Sequence, residues 1–357
     1  MLRELSEHSD VDLRLIAMGP HLSPEFGSTV REIEFTIDSR IECLLSSDTD
    51  VGMAKTIGVA VLGLADCLDR MRPDLLLVIA DRYEMLAPAS VALALRIPLA
   101  HIEGGEVSEG AIDDAVRNAL TKLSHVHFTS TEKARSRVIA MGEEPWRVHC
   151  AGAPSLDHLR RGVLLTREEV ERRLEIHLSV PPALVAFHPT TIARDTNREA
   201  GALYDALAAM EGPLVFCYPN ADAGSRELME RARAFGRGRV FVNLEPVLYW
   251  SLLRCCEMTI GNSSSGVMEA ASFGIPAIDV GLRQYGRERG INVLSAPADA
   301  MAILACIAQA RGAAFRRSLV GMANPYGEGH AAERIAQVLS TVPLGEQLLR
   351  KAGSPAN

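Results

Sequence analysis

Residues Leu75-Leu76-Leu77-Val78-Ile79-Ala80 are apolar without interruption. The run is too short for a helix and does not alternate, so it reads as a strand covered on both faces, the type found in parallel sheets. Parallel neighbours need crossovers, which helices supply. The chain provides them: a helix over 84–95, a strand at 97–102, a helix at 111–123, a strand at 126–130, a helix at 132–141 and a strand at 148–151. Ahead of the run, residues 1–8 read as the end of a helix, 12–18 and 33–37 as short strands, and 46–50 as a polar loop. Residues 54–71 carry Ile57, Val61, Leu64, Ala65 and Leu68 at helical spacing and stop before Pro73.

A break follows at 154–182, which holds a helix opened by a Thr166/Glu169 capping box and ends at Pro181-Pro182. The alternation then restarts: strand 183–188, helix 198–210, strand 214–218, helix 224–235, strand 239–242, helix 246–254, strand 257–261, helix 265–273 and strand 276–280. Helices over 298–310 and 330–341 close the chain. Two such sets predict an α/β protein with two Rossmann-like, doubly wound domains, residues 1–155 and 156–335. A tail, 336–357, is expected to pack back on the first domain. Ligands of such sheets sit at the carboxyl ends of strands, here expected in the cleft between the domains.

The stretch Gly261-Asn262-Ser263-Ser264-Ser265-Gly266-Val267-Met268-Glu269 joins a strand end to a helix start. Its hydroxyls and backbone N–H groups suit an anion such as phosphate, and Glu269 lies within reach of a sugar diol beside it. A serine-capped helix start explains the same residues. Other polar groups also close strands: Asp81 after 75–80, Glu103 after His101, and His188 after 183–187, while Asp113 and Asp114 open a helix. Helix caps and dipole-complementing carboxylates are the plain alternatives. Gathered in one cleft, crowded carboxylates would raise one another's pKa, which suits acid–base chemistry.

Rival chemistries lack their signals. The formal net charge of -8 and the absence of a dense Lys/Arg block disfavour nucleic acid. No run approaches the roughly 20 apolar residues of a membrane span, and no signal-peptide pattern opens the chain. The seven scattered cysteines read as free thiols of a cytoplasmic protein. No H-E-x-x-H points to a metal, no G-x-S-x-G to a serine nucleophile, and no G-x-G-x-x-G or Walker motif to NAD or ATP.

Several motifs occur in order: Asp81-Arg82-Tyr83-Glu84-Met85-Leu86, His101-Ile102-Glu103-Gly104-Gly105-Glu106, Gly110-Ala111-Ile112-Asp113-Asp114 and Thr121-Lys122-Leu123-Ser124-His125. Gly261–Gly266 with Glu269 follows, then Gly281-Leu282-Arg283-Gln284 with Gly286-Arg287. Together they resemble the hydrolysing UDP-N-acetylglucosamine 2-epimerase family over nearly the whole chain. The loop Glu103–Gly110 lacks the H-x-E-A-G-L-R form of the non-hydrolysing branch.

The resemblance implies a GT-B type fold with UDP between the domains, and conversion of UDP-N-acetylglucosamine and water to N-acetylmannosamine and UDP through 2-acetamidoglucal. It implies acid–base work by Asp81, Glu103, Asp113, Asp114 and His188, with the base unassigned. UDP would be held by Ser263, Ser264, Ser265, Gly266, Glu269, Arg283 and Arg287. It implies no metal or redox cofactor, and a homodimer or homotetramer. UDP-N,N'-diacetylbacillosamine as substrate, a GT-B glycosyltransferase and a non-catalytic UDP-sugar binder stay open. Family members begin with a strand and a Gly-[Ser/Thr]-Arg-x-[Asp/Glu] turn. Here Met1-Leu2-Arg3-Glu4-Leu5 reads as the end of the following helix. The expectation is therefore a shortened chain that folds poorly or turns over weakly.

Overall fold

A computed structural model describes residues 1–26, 28–45, 49–79, 81–108, 112–189, 199–218 and 225–352. They divide into two units. The first gathers Met1–Glu106, Asp113–Pro154 and His330–Asn357; the second gathers Val107–Ile112 and Ser155–Gly329.

In the first unit, β1 (Ile16–Met18) and β2 (Ser39–Ile41) form a parallel pair. The alternating stretch 33–37 is not a strand. Its residues alternate between half-buried and exposed as a strand would, but the ladder begins later, where the Leu15 carbonyl accepts from Asp38 N at 2.8 Å. A strand needs a partner, and local pattern alone does not supply one. The apolar run forms β3 (Leu76–Ile79), with Ala80 outside the described residues. It is followed by β4 (Leu99–Ile102), β5 (Val126–Thr129) and β6 (Val148–Cys150) in a parallel sheet that keeps chain order. Both faces of β4 and β5 are buried.

The helix expected at 54–71 starts earlier and spans Asp50–Met71, because the Thr49 hydroxyl caps it by accepting from Gly52 N at 3.0 Å. By length and composition it is apolar enough to cross a membrane, a property that a search for unbroken apolar runs overlooks because Lys55 and Asp66 interrupt it. Its inner face, Thr56, Ala60, Leu64 and Leu68, is buried. Ala60, Leu64 and Leu68 pack with Val91 and Ala92 of the Leu86–Leu95 helix and with Val78 of β3.

In the second unit, β7 (Ala183–Ala186), β8 (Leu214–Tyr218), β9 (Arg239–Val242), β10 (Met258–Gly261), β11 (Ala277–Val280) and β12 (Val293–Ala296) are all parallel. Their spatial order is β12-β11-β10-β7-β8-β9. Counted within the unit this is 3-2-1-4-5-6, the doubly wound Rossmann order, with its reversal between β7 and β10. Helices cover both faces. Leu203, Leu207, Ile303 and Ile307 pack with Phe216, Ile260 and Ile278 on one side. Val170, Leu174, Leu252 and Leu253 pack with Leu184, Val215 and Ala277 on the other. The capping box is present: Thr166 Oγ1 accepts from Glu169 N at 3.3 Å, and Glu169 Oε2 from Thr166 N at 2.8 Å.

Candidate functional site

The reversal of strand order in the second unit leaves a crevice at the carboxyl ends of β7 and β10, because crossovers depart from these neighbours to opposite faces. The serine-rich stretch lies there. Gly261 ends β10 with φ +143, and a Cβ at that position would collide with the Ala186 carbonyl of β7, so the close approach requires glycine. Asn262, fully buried, follows. Its Oδ1 accepts from His188 N at 2.6 Å and its Nδ2 donates to His188 O at 2.9 Å. Its own carbonyl accepts from Arg283 Nη1 at 3.1 Å and Gln284 Nε2 at 2.8 Å. One asparagine thus fixes His188, Arg283 and Gln284 around the mouth of the switch point.

Ser263 caps the helix Ser264–Met268 by accepting from Ser265 N at 3.4 Å. The helix expected over 265–273 is a five-residue α-helix followed by a 3-10 turn, Ala270–Phe273. A single α-turn sums few peptide dipoles, so an anion here depends on individual N–H and hydroxyl donors rather than on a macrodipole. Tyr249 donates to Ser265 Oγ at 2.9 Å, and burial pushes the Tyr249 phenol well above its ordinary pKa. Burial raises the pKa of Glu269, while the Ser265 and Ser155 hydroxyls and the charge of Arg287 act against that rise.

Arg287 Nε donates to Val107 O at 3.2 Å and Nη2 to Ser108 Oγ at 3.3 Å, while Nη1 lies 3.3 Å from Met268 Sδ. It therefore anchors Val107 and Ser108 of this unit beside the serine helix. His188 is buried, and burial followed by the Arg283 charge lowers its pKa to about 3, so its imidazole is neutral near pH 7.

In the first unit, Asp81 follows the end of β3 and Asp113 opens the helix Asp113–Leu123 with Asp114. The structure brings Asp81 and Asp114 onto one residue that sequence reasoning missed, Arg117. This fully buried guanidinium donates from Nη2 to Asp81 Oδ2 and from Nη1 to Glu106 O at 3.0 Å, and lies 3.6 Å from Asp114 Oδ1. The expected crowding of carboxylates against one another is thus replaced, for these two, by a shared cation. Nothing in the sequence marks Arg117 beyond its place one turn after the acidic pair. Glu103 closes β4 with φ +67, its N–H donating to Phe128 O at 2.7 Å. A left-handed backbone at a non-glycine residue costs free energy and concentrates at functional positions.

A 3-2-1-4-5-6 sheet with a donor-rich turn at its switch point, preceded by a second parallel α/β unit with acidic strand ends, defines a tandem Rossmann-like protein of the GT-B-like class. Residues 3–340 match the UDP-N-acetylglucosamine 2-epimerase family, and the chain belongs to that family. It is an enzyme of the UDP-sugar 2-epimerase and hydrolase group. The GDP/UDP-N,N'-diacetylbacillosamine 2-epimerase (hydrolyzing) of Campylobacter jejuni is 36% identical over 82% of this chain and 79% of its own length. The UDP-N,N'-diacetylbacillosamine 2-epimerase (hydrolyzing) of Legionella pneumophila is 34% identical over 99% of this chain and 94% of its own. Among solved structures, the UDP-GlcNAc 2-epimerase of Neisseria meningitidis bound to UDP-GlcNAc superposes with TM-score 0.78 over 94% of each chain, at 19% identity, a likeness of fold.

Proposed function

We propose that this chain is a hydrolysing 2-epimerase of UDP-N,N'-diacetylbacillosamine, releasing UDP and the free C2-epimer of the 2,4-diacetamido-2,4,6-trideoxy sugar. The observation that carries this substrate is the 34% identity to the Legionella enzyme along 99% of the chain. UDP-N-acetylglucosamine, which the motifs taken alone place first, is the second reading, favoured by 31% identity over 87% of the chain to the UDP-N-acetylglucosamine 2-epimerase of Neisseria meningitidis. The two sugars share the C2 acetamido group, the C2 hydrogen and the anomeric diphosphate, and differ at C4 and C6.

The chemistry asks the same of the protein in either case. A base removes the C2 proton, the anomeric C–O bond breaks, and UDP leaves with the bonding pair, giving a glycal with a C1–C2 double bond. Water then adds at C1 while an acid protonates C2 from the opposite face. Leaving-group charge is stabilised by donors already in place, the role assigned to Ser263, Ser264, Ser265 and the Gly266 backbone with Arg283 and Arg287. Glu269, buried beside the serine turn, is assigned the ribose hydroxyls. Asp81, Glu103, Asp113 and Asp114 are assigned the proton transfers, with Arg117 positioning Asp81 and Asp114. His188, whose cationic form burial and Arg283 disfavour, is assigned a hydrogen-bonding role as a neutral imidazole.

We infer further that the enzyme works in the cytoplasm as a homodimer or homotetramer, with no nucleic-acid or membrane partner, in keeping with its net charge of -8. Initial rates with both UDP-sugars test the substrate. A kcat/KM at least tenfold higher for UDP-N,N'-diacetylbacillosamine is expected; equal or reversed values overturn that choice.

A further inference from the structure

At the switch-point end of the second sheet, Asp279 of β11 pairs in register with Gly261 of β10, the residue before Asn262. Asp279 is buried. It lines a cavity of about 10 Å³ together with Thr259, Ser263 and Gly266, and so borders the serine turn. Its Oδ2 accepts from Arg289 Nη2 at 2.8 Å, while its Oδ1 has no partner among the described residues. A buried carboxylate persists only when paired, and Arg289 is the ion pair it makes. Burial pushes the Asp279 carboxyl up; the bond to Arg289 and its charge oppose that most, followed by the charges of Arg287 and Arg283. The same nitrogen, Arg289 Nη2, also donates to the Gln284 carbonyl at 3.1 Å. One atom thus ties the end of β11 to the loop that leads to β12.

That loop, 281–289, carries Arg283 and Arg287, both assigned to the diphosphate. Its large apolar residues give it little hold, since Leu282 is 60% exposed and Tyr285 54%. Polar bonds fasten it instead. At its start Gly281 N donates to Ala296 O at 2.9 Å, and near its end Tyr326 donates to Glu288 O at 2.9 Å. Between these, the buried Gln284 is gripped twice. Its side chain donates to Asn262 O at 2.8 Å, and its carbonyl accepts from Arg289, with Arg287 N also on that carbonyl at 3.3 Å. Arg283 shares the Asn262 acceptor with Gln284. A shift of the Gln284 peptide therefore carries its neighbour Arg283 away from the serine turn.

We infer that Arg289, fixed by Asp279, is a positioning residue for the diphosphate: it pins the Gln284 peptide so that Arg283 stays beside the serine turn. The inference rests on the UDP reading above and adds to it a residue that acts through Gln284 and Arg283. A carboxylate bordering an anion site also repels the anion, so Arg289 masks a charge as well as pinning a loop. The two roles part when the Asp279 charge is removed, because masking then becomes unnecessary and pinning does not. Arg289 differs from Arg117, which reaches its acceptors with two nitrogens. Here a single nitrogen makes both bonds, so the point charge of a lysine ammonium, with three donors, can replace it.

NMR titration of the full chain with UDP and with uridine tests it, alongside thermal unfolding to verify that each variant folds. Uridine lacks the diphosphate, so the pair of ligands isolates that subsite from any general loosening. Arg289→Met is expected to weaken UDP about tenfold, the scale of one misplaced charge-assisted bond, and uridine by less than about twofold. Arg289→Lys is expected to stay within about threefold of the parent for both ligands. Arg289→Met strands a buried carboxylate, so Asp279→Asn is combined with it to remove both charges; this double variant is expected to fold and to keep the loss of UDP affinity. Restored UDP affinity in the double variant would reduce Arg289 to a charge mask and overturn the proposal. So would parent-like UDP affinity in Arg289→Met, or equal losses for UDP and uridine. An unaltered chain that binds UDP no more tightly than uridine would overturn the UDP reading itself, a result separable from the others because it involves no variant.

Discussion

Asn262 holds the peptide of His188 by both of its polar groups, accepting from His188 N at 2.6 Å and donating to His188 O at 2.9 Å across 74 residues of sequence. The two strands that flank the switch point are thereby tied beyond the last rung of their ladder, which pairs Gly261 with Ala186. The Asn262 carbonyl adds Arg283 and Gln284 to the same node.

Asn262→Ala leaves the His188 N–H and C=O without these partners in a buried setting. Each stranded group costs about 1–3 kcal/mol, so urea unfolding is expected to show a loss of roughly 2–6 kcal/mol. UDP affinity is expected to fall as His188 loses its fixed position, while Arg283 keeps its bond to the residue 262 carbonyl. A variant as stable as the parent would show that the clamp is dispensable.

Stability is expected to decline below pH 6.5 through His188. Its pKa is lowered from 6.5 to about 3 when folded, so the unfolded chain takes up this proton first. The stability is fully present above pH 6.5 and is lost as pH falls from 6.5 toward 3, by up to ~1.4 kcal/mol per pH unit. His125, lowered by burial to about 4, acts in the same direction. Glu143, held at about 2, loses its contribution only as pH falls from 4.5 toward 2. Urea unfolding at pH 7 and pH 5 separates the two windows. His188→Gln is expected to flatten the slope between those values, and an unchanged slope would count against a buried neutral imidazole.

Arg117→Ala strands Asp81 and the Glu106 carbonyl. Breaking a buried pair by removing one partner costs about 3–5 kcal/mol, and turnover is expected to fall with it. Arg117→Lys keeps the charge but loses the fork that reaches two acceptors at once, so it should fall between the parent and the alanine variant in both measurements. Equal behaviour of the lysine variant and the parent would mean that charge alone suffices.

Where local pattern decides structure, the sequence was enough. The strands Leu214–Tyr218 and Arg239–Val242, the Pro246–Arg254 helix and the Thr166/Glu169 capping box stand where spacing and capping residues put them. It failed where a distant partner decides. Residues 33–37 have a strand's alternation but no neighbour, whereas Val293–Ala296, short and bordered by Pro297, becomes a strand because β11 pairs with it. The doubly wound order follows from which strands pair, not from any one of them. In the candidate site, the serine turn and the acidic strand ends were visible as residue types. Arg117 and the clamp by Asn262 were not, because each acts through contacts with segments far away in sequence.

Glu103→Gln preserves the shape of the side chain at a backbone held at φ +67. Proton transfer at a positioned base is worth about 10²–10⁴-fold, so exchange of the C2 hydrogen is expected to drop by at least a hundredfold. UDP affinity, measured by calorimetry, should stay within about threefold. Retained exchange would remove Glu103 from the proton-transfer role.

The most direct test of the whole account is proton NMR of the enzyme with UDP-N,N'-diacetylbacillosamine in deuterated water. The account predicts UDP together with the free 2,4-diacetamido-2,4,6-trideoxy sugar, inverted at C2 and carrying deuterium there. A deuterated epimer still joined to UDP, or no incorporation at C2 with either this substrate or UDP-N-acetylglucosamine, would contradict it.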